Sequence, residues 1–209
     1  MNPTIQLVRE LIDLESLDIV EDVQKPWGKY LTYVRNKDIR ELLPAAKDLF
    51  RNHPDDYFVT LKHLVLTDEL SIQSHDERDE AWYLDSGNAM VYRARAGRSP
   101  EEDIMALRQE GFPKEGCIYI PRDTLHTAVR HSREPALIME ISLGTAEEED
   151  IVRYYDKHSA SRPEADQKQL LLREYDSGLN VPELQARIRD KKKEASDDSP
   201  DPALEGFRL

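Results

Sequence analysis

Gln73, His75, Glu80 and His126 are the residues of this chain whose types and spacing could do chemistry together. On an extended strand, side chains two apart share a face, so Gln73 and His75 point one way while Ile72 and Ser74 point the other. Residues Asp76 to Asp79 read as a turn, after which Glu80, Trp82 and Leu84 share a face of the next strand. If the two faces meet in one interior, Gln73, His75 and Glu80 converge within a single hairpin. Forty-six residues beyond Glu80, His126 stands just past Pro121-Arg122-Asp123, at the start of another strand. One amide oxygen, two imidazoles and one carboxylate form a mixed N/O donor set suited to Zn²⁺, Mn²⁺, Fe²⁺ or Ni²⁺ rather than to a soft thiolate metal. Gln73 has an alternative role, satisfying strand backbone, because amides are weak ligands. Arg130 shares the face of His126 on a regular strand, and from there its guanidinium could reach a bound anion. Lys62 and Arg122 are further candidate cations.

The elements that must position these residues are short. Six apolar or alternating runs lie between Tyr57 and Gly144, punctuated by turn-forming residues, as expected of a small antiparallel barrel or sandwich. Trp27–Arg35 also reads as a strand. Ser99-Pro100-Glu101-Glu102 is a capping box that predicts an inserted helix over 99–110, with Gly111 as its stop. After Gly144 the strand pattern ends. Residues 163–174 and 181–194 read as helices, the second capped by Asn180. Near the N-terminus, Asn2 and Pro3 open a helix with an apolar stripe of Ile5, Val8, Leu11 and Ile12, and NKDIRELLPAAKDLFRNHPDD reads as a helix broken or restarted at Pro44.

The 209 residues carry 42 acidic and 29 basic side chains, a formal charge of −13. That balance repels a phosphate backbone or an anionic bilayer, so neither nucleic acid nor membrane is an expected partner, although a local basic pocket is still allowed. The one cysteine, Cys117, excludes an intramolecular disulfide and a cysteine-based zinc cluster. No secretory signal or membrane-length apolar run is legible, and a cytoplasmic location is expected.

Gln73-x-His75-x4-Glu80-x6-Gly87 resembles the first cupin motif with glutamine in place of its first histidine. Pro121-x-Asp123-x2-His126 resembles the second, with aspartate in place of glycine. More narrowly, Lys25-Pro26-Trp27-Gly28, Ser71-Ile72-Gln73-Ser74-His75, Arg78-Asp79-Glu80 and Glu149-Asp150-Ile151-Val152-Arg153 are similar to segments of the cupin domain of type II mannose-6-phosphate isomerases, over roughly residues 25–158. Arg130 stands where that family has asparagine.

The resemblance implies a mainly β fold, a cupin double-stranded β-helix (jelly-roll) barrel with N-terminal and C-terminal helices. The expected organisation is a helical arm over 1–24, the barrel over 25–158, a helical extension over 159–194 and a disordered tail over 195–209. One divalent metal, zinc as first choice, would sit on Gln73, His75, Glu80 and His126. Arg78 falls at the family's active-site arginine, suited to a phosphate or sugar oxygen; its other reading is a solvated turn residue among acids. The implied activity is a metal-dependent aldose–ketose isomerase acting on a sugar or sugar phosphate, with Arg78 and Arg130 at the substrate. The alternatives are a non-catalytic sugar-binding cupin and an Fe-dependent cupin dioxygenase. A homodimer is expected.

Overall fold

The Pro26-Trp27 turn joins β1 (Glu21–Lys25) to β2 (Gly28–Arg35), and each residue of that motif has a mechanical reason. Trp27 drops into the core, and its carbonyl accepts the Thr67 and Asp68 amides at 2.9 and 3.2 Å. Gly28 sits at φ 140°, where an added Cβ would lie 2.0 Å from the Val65 carbonyl oxygen, so no other residue lets the turn approach the Val65 backbone so closely. The computed structural model describes residues 19–35, 59–114, 117–144 and 148–197.

The chain continues through β3 (Val59–Leu66), β4 (Ile72–His75), β5 (Arg78–Ser86) and β6 (Ala89–Arg95), then helix α1 (Pro100–Ala106). It returns through β7 (Arg108–Gly111), β8 (Ile118–Ile120), β9 (Thr124–Arg130), β10 (Ala136–Gly144) and β11 (Ile151–Tyr155). A short helix α2 (Glu164–Gln167) and a long one, α3 (Val181–Asp197), close the described chain. Two antiparallel sheets result, in the orders β1-β2-β3-β10-β5-β8 and β11-β4-β9-β6-β7. Their facing sides bury Trp27, Leu64, Trp82, Val91, Ile120 and Ile138, while Ile72 and Leu125 on the other side of the second sheet meet Ile104 of α1 and Val181, Leu184 and Ile188 of α3. The expected mainly β jelly roll is what the chain forms.

The starts of α1 and α3 are capped by the residues that predict them, Ser99 and Asn180. Ser99 and Glu102 exchange side-chain-to-backbone bonds at 3.4 and 3.3 Å, and Asn180 and Glu183 do so at 3.0 and 2.8 Å. The first helix nevertheless stops at Ala106 instead of 110. The free edge of β6 offers backbone partners to residues 108–111, and Arg93 clamps Glu110 through two bonds of 2.6 and 3.0 Å.

Three further expectations are corrected. The strand pattern does not end at Gly144, because β11 covers the otherwise open edge of β4. Residues 163–174 hold only the four-residue α2, since the amides of Leu171 and Leu172 leave the helical path to bond the Arg153 and Tyr154 carbonyls at 3.1 and 2.9 Å. Within the expected helical arm, residues 21–24 belong to strand β1. The expectations for residues 1–18, for the helix around Pro44 and for most of the tail fall outside the described residues. No described helix is long and apolar enough to cross a membrane.

Candidate metal centre and its cavity

Strand pairing delivers the four residues named from the sequence to one place. Gln73 and His75 alternate along β4, Gln73 stands opposite His126 of β9, and Glu80 follows one turn later on β5. The turn before β9 is built on Asp123, the one non-glycine residue described with positive φ, at 59°. Aspartate tolerates that left-handed conformation where a branched side chain does not, so it can stand in glycine's position in the motif. Its amide donates to the His75 carbonyl at 2.8 Å, which ties the His126 strand to the His75 strand.

His75, Glu80 and His126 are 2%, 1% and 1% exposed, and one donor atom from each falls within a 4.8 Å group. His75 Nε2 lies 3.1 Å from Glu80 Oε1, and His126 Nε2 lies 3.3 Å from Glu80 Oε2. Atoms that share a first-row ion at about 2.0–2.2 Å from it are separated by roughly 3 Å, so the spacing fits. The protonation pattern fits as well. His126 Nδ1–H donates to the Thr124 carbonyl at 2.8 Å, which leaves the Nε2 lone pair facing a carboxylate oxygen. Both His126 Nε2 and Glu80 Oε2 are buried without an aligned hydrogen bond. Two lone pairs held together out of water are costly unless a cation joins them. Burial pushes the Glu80 carboxyl up, but His75 and His126 beside it pull harder and hold it well below the usual carboxylate range. Trp82 meets the His126 ring edge-on at 5.2 Å, fixing its orientation from the side.

Gln73 is present but turned. Its Oε1 accepts the Ser71 hydroxyl at 2.8 Å, and its amide nitrogen lies 3.4 Å from His75 Nε2. A half-turn of the terminal torsion would exchange the two atoms and give the oxygen to the cluster.

Arg78 is not a solvated turn residue: it is 2% exposed and inside the cluster. Its Nε lies 3.2 Å from Glu80 Oε1, and its Nη2 donates to His75 at 2.9 Å from Nδ1. Arg130 is elsewhere. Its guanidinium donates to the Ser132 and Arg133 carbonyls at 2.7 and 2.6 Å and closes the β9–β10 turn, so the expectation of a substrate-facing Arg130 is corrected. The sharp turn leaves carbonyls that draw the side chain away from the strand face. Arg122 likewise pairs with Asp79, 42% exposed.

Asp150 joins the cluster from the short helical turn before β11. Its Oδ1 accepts the Asp76 and Glu77 amides at 3.1 and 2.8 Å, and its Oδ2 lies 3.8 Å from His75 Nδ1 and 3.7 Å from Arg78 Nε. At 3.8 Å it makes no hydrogen bond to His75, whose Nδ1 accepts from Arg78, but it lies where a carboxylate could orient the ring if the guanidinium moved away. Its only sequence signal was the acidic-Ile-Val-Arg segment.

A cavity of about 90 Å³ opens beside the cluster, with Gln73, Arg78 and Glu80 on one side and Lys62, Trp82 and Glu140 on another. Arg153 and Arg162 line both it and an adjoining hollow of about 330 Å³. Lys25 also lines the first cavity, so among the described residues five basic side chains gather here in a strongly acidic chain.

Two antiparallel sheets that together supply a buried His–Glu–His cluster define this protein as a cupin. Residues 51–156 match the family described as mannose-6-phosphate isomerase C-terminal, and the chain belongs to that family. No curated protein matches the chain. Among solved structures it is similar to the mannose 6-phosphate isomerase from Bacillus subtilis, at 18% identity and a TM-score of 0.47, over 67% of this chain and 60% of that one. It is also similar to the capsular polysaccharide assembling protein CapF from Staphylococcus aureus, at 9% identity and a TM-score of 0.44, over 63% of this chain and 33% of that one. A third is the Drosophila melanogaster CENP-C cupin domain, at 11% identity and a TM-score of 0.40, over 61% of this chain and 75% of that one. The chain thus spans about a third of CapF and 60% of the B. subtilis isomerase.

Proposed function

We propose that this protein is a metal-dependent aldose–ketose isomerase acting on a phosphorylated hexose, with mannose 6-phosphate and fructose 6-phosphate as the pair to test first. One observation carries the reading: the buried His126 Nε2 and Glu80 Oε2, 3.3 Å apart and without aligned partners, lie beside a cavity lined by cations. His75, Glu80 and His126 would hold the ion, zinc as first choice, with Gln73 joining after its amide turns over. A divalent ion there supplies Lewis-acid polarisation of a sugar carbonyl or hydroxyl.

The chain's own groups do the remainder. Arg78 moves onto the sugar oxygens and neutralises their developing negative charge, which leaves Asp150 to orient His75. Lys25, Lys62, Arg153 and Arg162 give a phosphate a positive surround that the chain as a whole lacks. Trp27 and Trp82 wall the cavity and limit water. The test is metal-loaded protein with mannose 6-phosphate in D₂O, followed by NMR. Deuterium at C2 and appearance of the ketose are expected; neither under any of Zn²⁺, Mn²⁺, Fe²⁺ or Ni²⁺ ends the reading.

A second reading rests on one contact. Arg78 already places a positive charge between His75 and Glu80, so a cupin that binds a sugar without metal and without turnover could use the guanidinium as its built-in cation. Calorimetric sugar binding unchanged by chelator, with no isomerisation, would select it. The homodimer stays part of the proposal: Ile19 and Val20 are 55% and 51% exposed beside the edge strand β1, and light scattering at twice the monomer mass is expected.

A further inference from the structure

We infer that Glu140 is the base that carries the proton between C1 and C2 of the sugar. The inference deepens the isomerase reading and rests on it.

The cavity beside the cluster has two carboxylates among its described lining residues, Glu80 and Glu140. Glu80 is committed to His75, His126 and Arg78 on both of its oxygens. Glu140 sits on β10, the strand between β3 and β5, opposite Lys62 on one side and Trp82 on the other. Its neighbour in the next row of the same face is Ser142, which stands directly opposite Glu80. Glu140 is therefore the diagonal neighbour of Glu80, a relationship that sets Cβ atoms about 7 Å apart. That separation lets one carboxylate serve the ion while the other reaches a carbon of a sugar held between them.

Two contacts fix the side chain. The Ser142 hydroxyl donates to Glu140 Oε1 at 2.9 Å, and Lys62 Nζ lies 3.9 Å from the same oxygen. Among the described residues, both contacts fall on Oε1. Lys62 acts as a positioning residue that holds the carboxylate at the cavity wall. The ammonium and guanidinium groups around the cavity carry no lone pair when charged, so a carboxylate is the group able to accept a proton there.

The step balances without an added reactant. Glu140 takes the proton from C2 of the open-chain aldose; the C2–H electrons form the C1–C2 double bond, and the carbonyl electrons move onto O1. The O2 hydroxyl proton ends on O1. Reversal onto C1 forms the ketone at C2 and returns the carboxylate.

Wild type, Glu140→Gln and Glu140→Asp, each loaded with metal, are compared for C2 exchange in D₂O. In parallel, each is treated with 1,2-anhydromannitol 6-phosphate, an epoxide that a correctly placed carboxylate opens to an ester. Expected are a loss of exchange on the order of 10²–10⁴-fold in the glutamine variant, with metal content and unfolding midpoint unchanged, and a smaller loss in the aspartate variant. Peptide mass mapping should place the ester on Glu140 in wild type and find none in Glu140→Gln. Exchange retained by Glu140→Gln, or the ester on another residue, overturns the assignment while leaving the isomerase reading intact. Absence of exchange and of ester in wild type overturns both.

Discussion

His126 presents Nε2 to Glu80 Oε2 at 3.3 Å while its other nitrogen is tied to the Thr124 carbonyl at 2.8 Å. The ring cannot turn away to relieve the meeting of two acceptors without breaking that bond. Either a proton or an ion must lie between them, and two imidazoles around one carboxylate favour the ion at neutral pH. Glu80→Gln and His126→Ala should each lose the bound metal equivalent, measured by elemental content after dialysis. Asp150→Asn should weaken affinity about 10–100-fold, as for partners that orient a ligand histidine. Wild-type affinity should fall with acidification, because the imidazoles must be neutral to bind. Full metal content in Glu80→Gln would rule out this centre.

Arg78 competes with a cation for the same two partners, since its Nη2 and Nε lie within about 3 Å of His75 and Glu80. Arg78→Met should bind divalent metal at least tenfold more tightly by calorimetry, while turnover falls by two orders of magnitude or more. Arg130→Ala should remain within twofold of wild type in both assays, because Arg130 serves a turn.

Glu69 is 1% exposed, close to the start of α3, and burial raises its carboxyl from 4.5 to about 8 against the pull of Lys157. In the folded chain it holds its proton where the unfolded chain has released it. Its contribution is present below about pH 4.5 and is lost as pH rises towards 8, at up to about 1.4 kcal/mol per pH unit. Glu69→Gln should therefore lose less stability than wild type between pH 5 and 8 in urea titrations, with the gap widening as pH rises. Parallel curves would refute the assignment.

Leu184 of α3 is fully buried against the second sheet with Ile104 and Val181. Leu184→Ala should cost about 2–5 kcal/mol of unfolding free energy without changing metal content, because the helix covers the face of the sheet opposite the cavity. A loss below 1 kcal/mol would mean that α3 does not dock there in solution.

The spacing of Gln73, His75 and Glu80 was legible because a strand's two-residue period and a short turn leave few ways to arrange them. His126 was legible through its turn, and the capping box at Ser99 and the Asn180 cap through local bonds that need no tertiary partner. Strands β7 and β11 were not, because each is stabilised by a sheet edge outside its own segment, β7 by β6 across the intervening helix and β11 by the distant β4. The same reason hides the rest of the site. Arg78 reads equally as a site arginine or a solvated turn residue until β11 and Asp150 close over it, and Arg130 reads as a site residue until the next turn claims its guanidinium. Glu140 looks like one acid in an apolar strand until β10 lies between β3 and β5. Donor types and strand faces are properties of neighbouring residues, which the amino-acid order determines by itself; which side chains share a cavity depends on pairings between distant strands, and those only the folded chain decides.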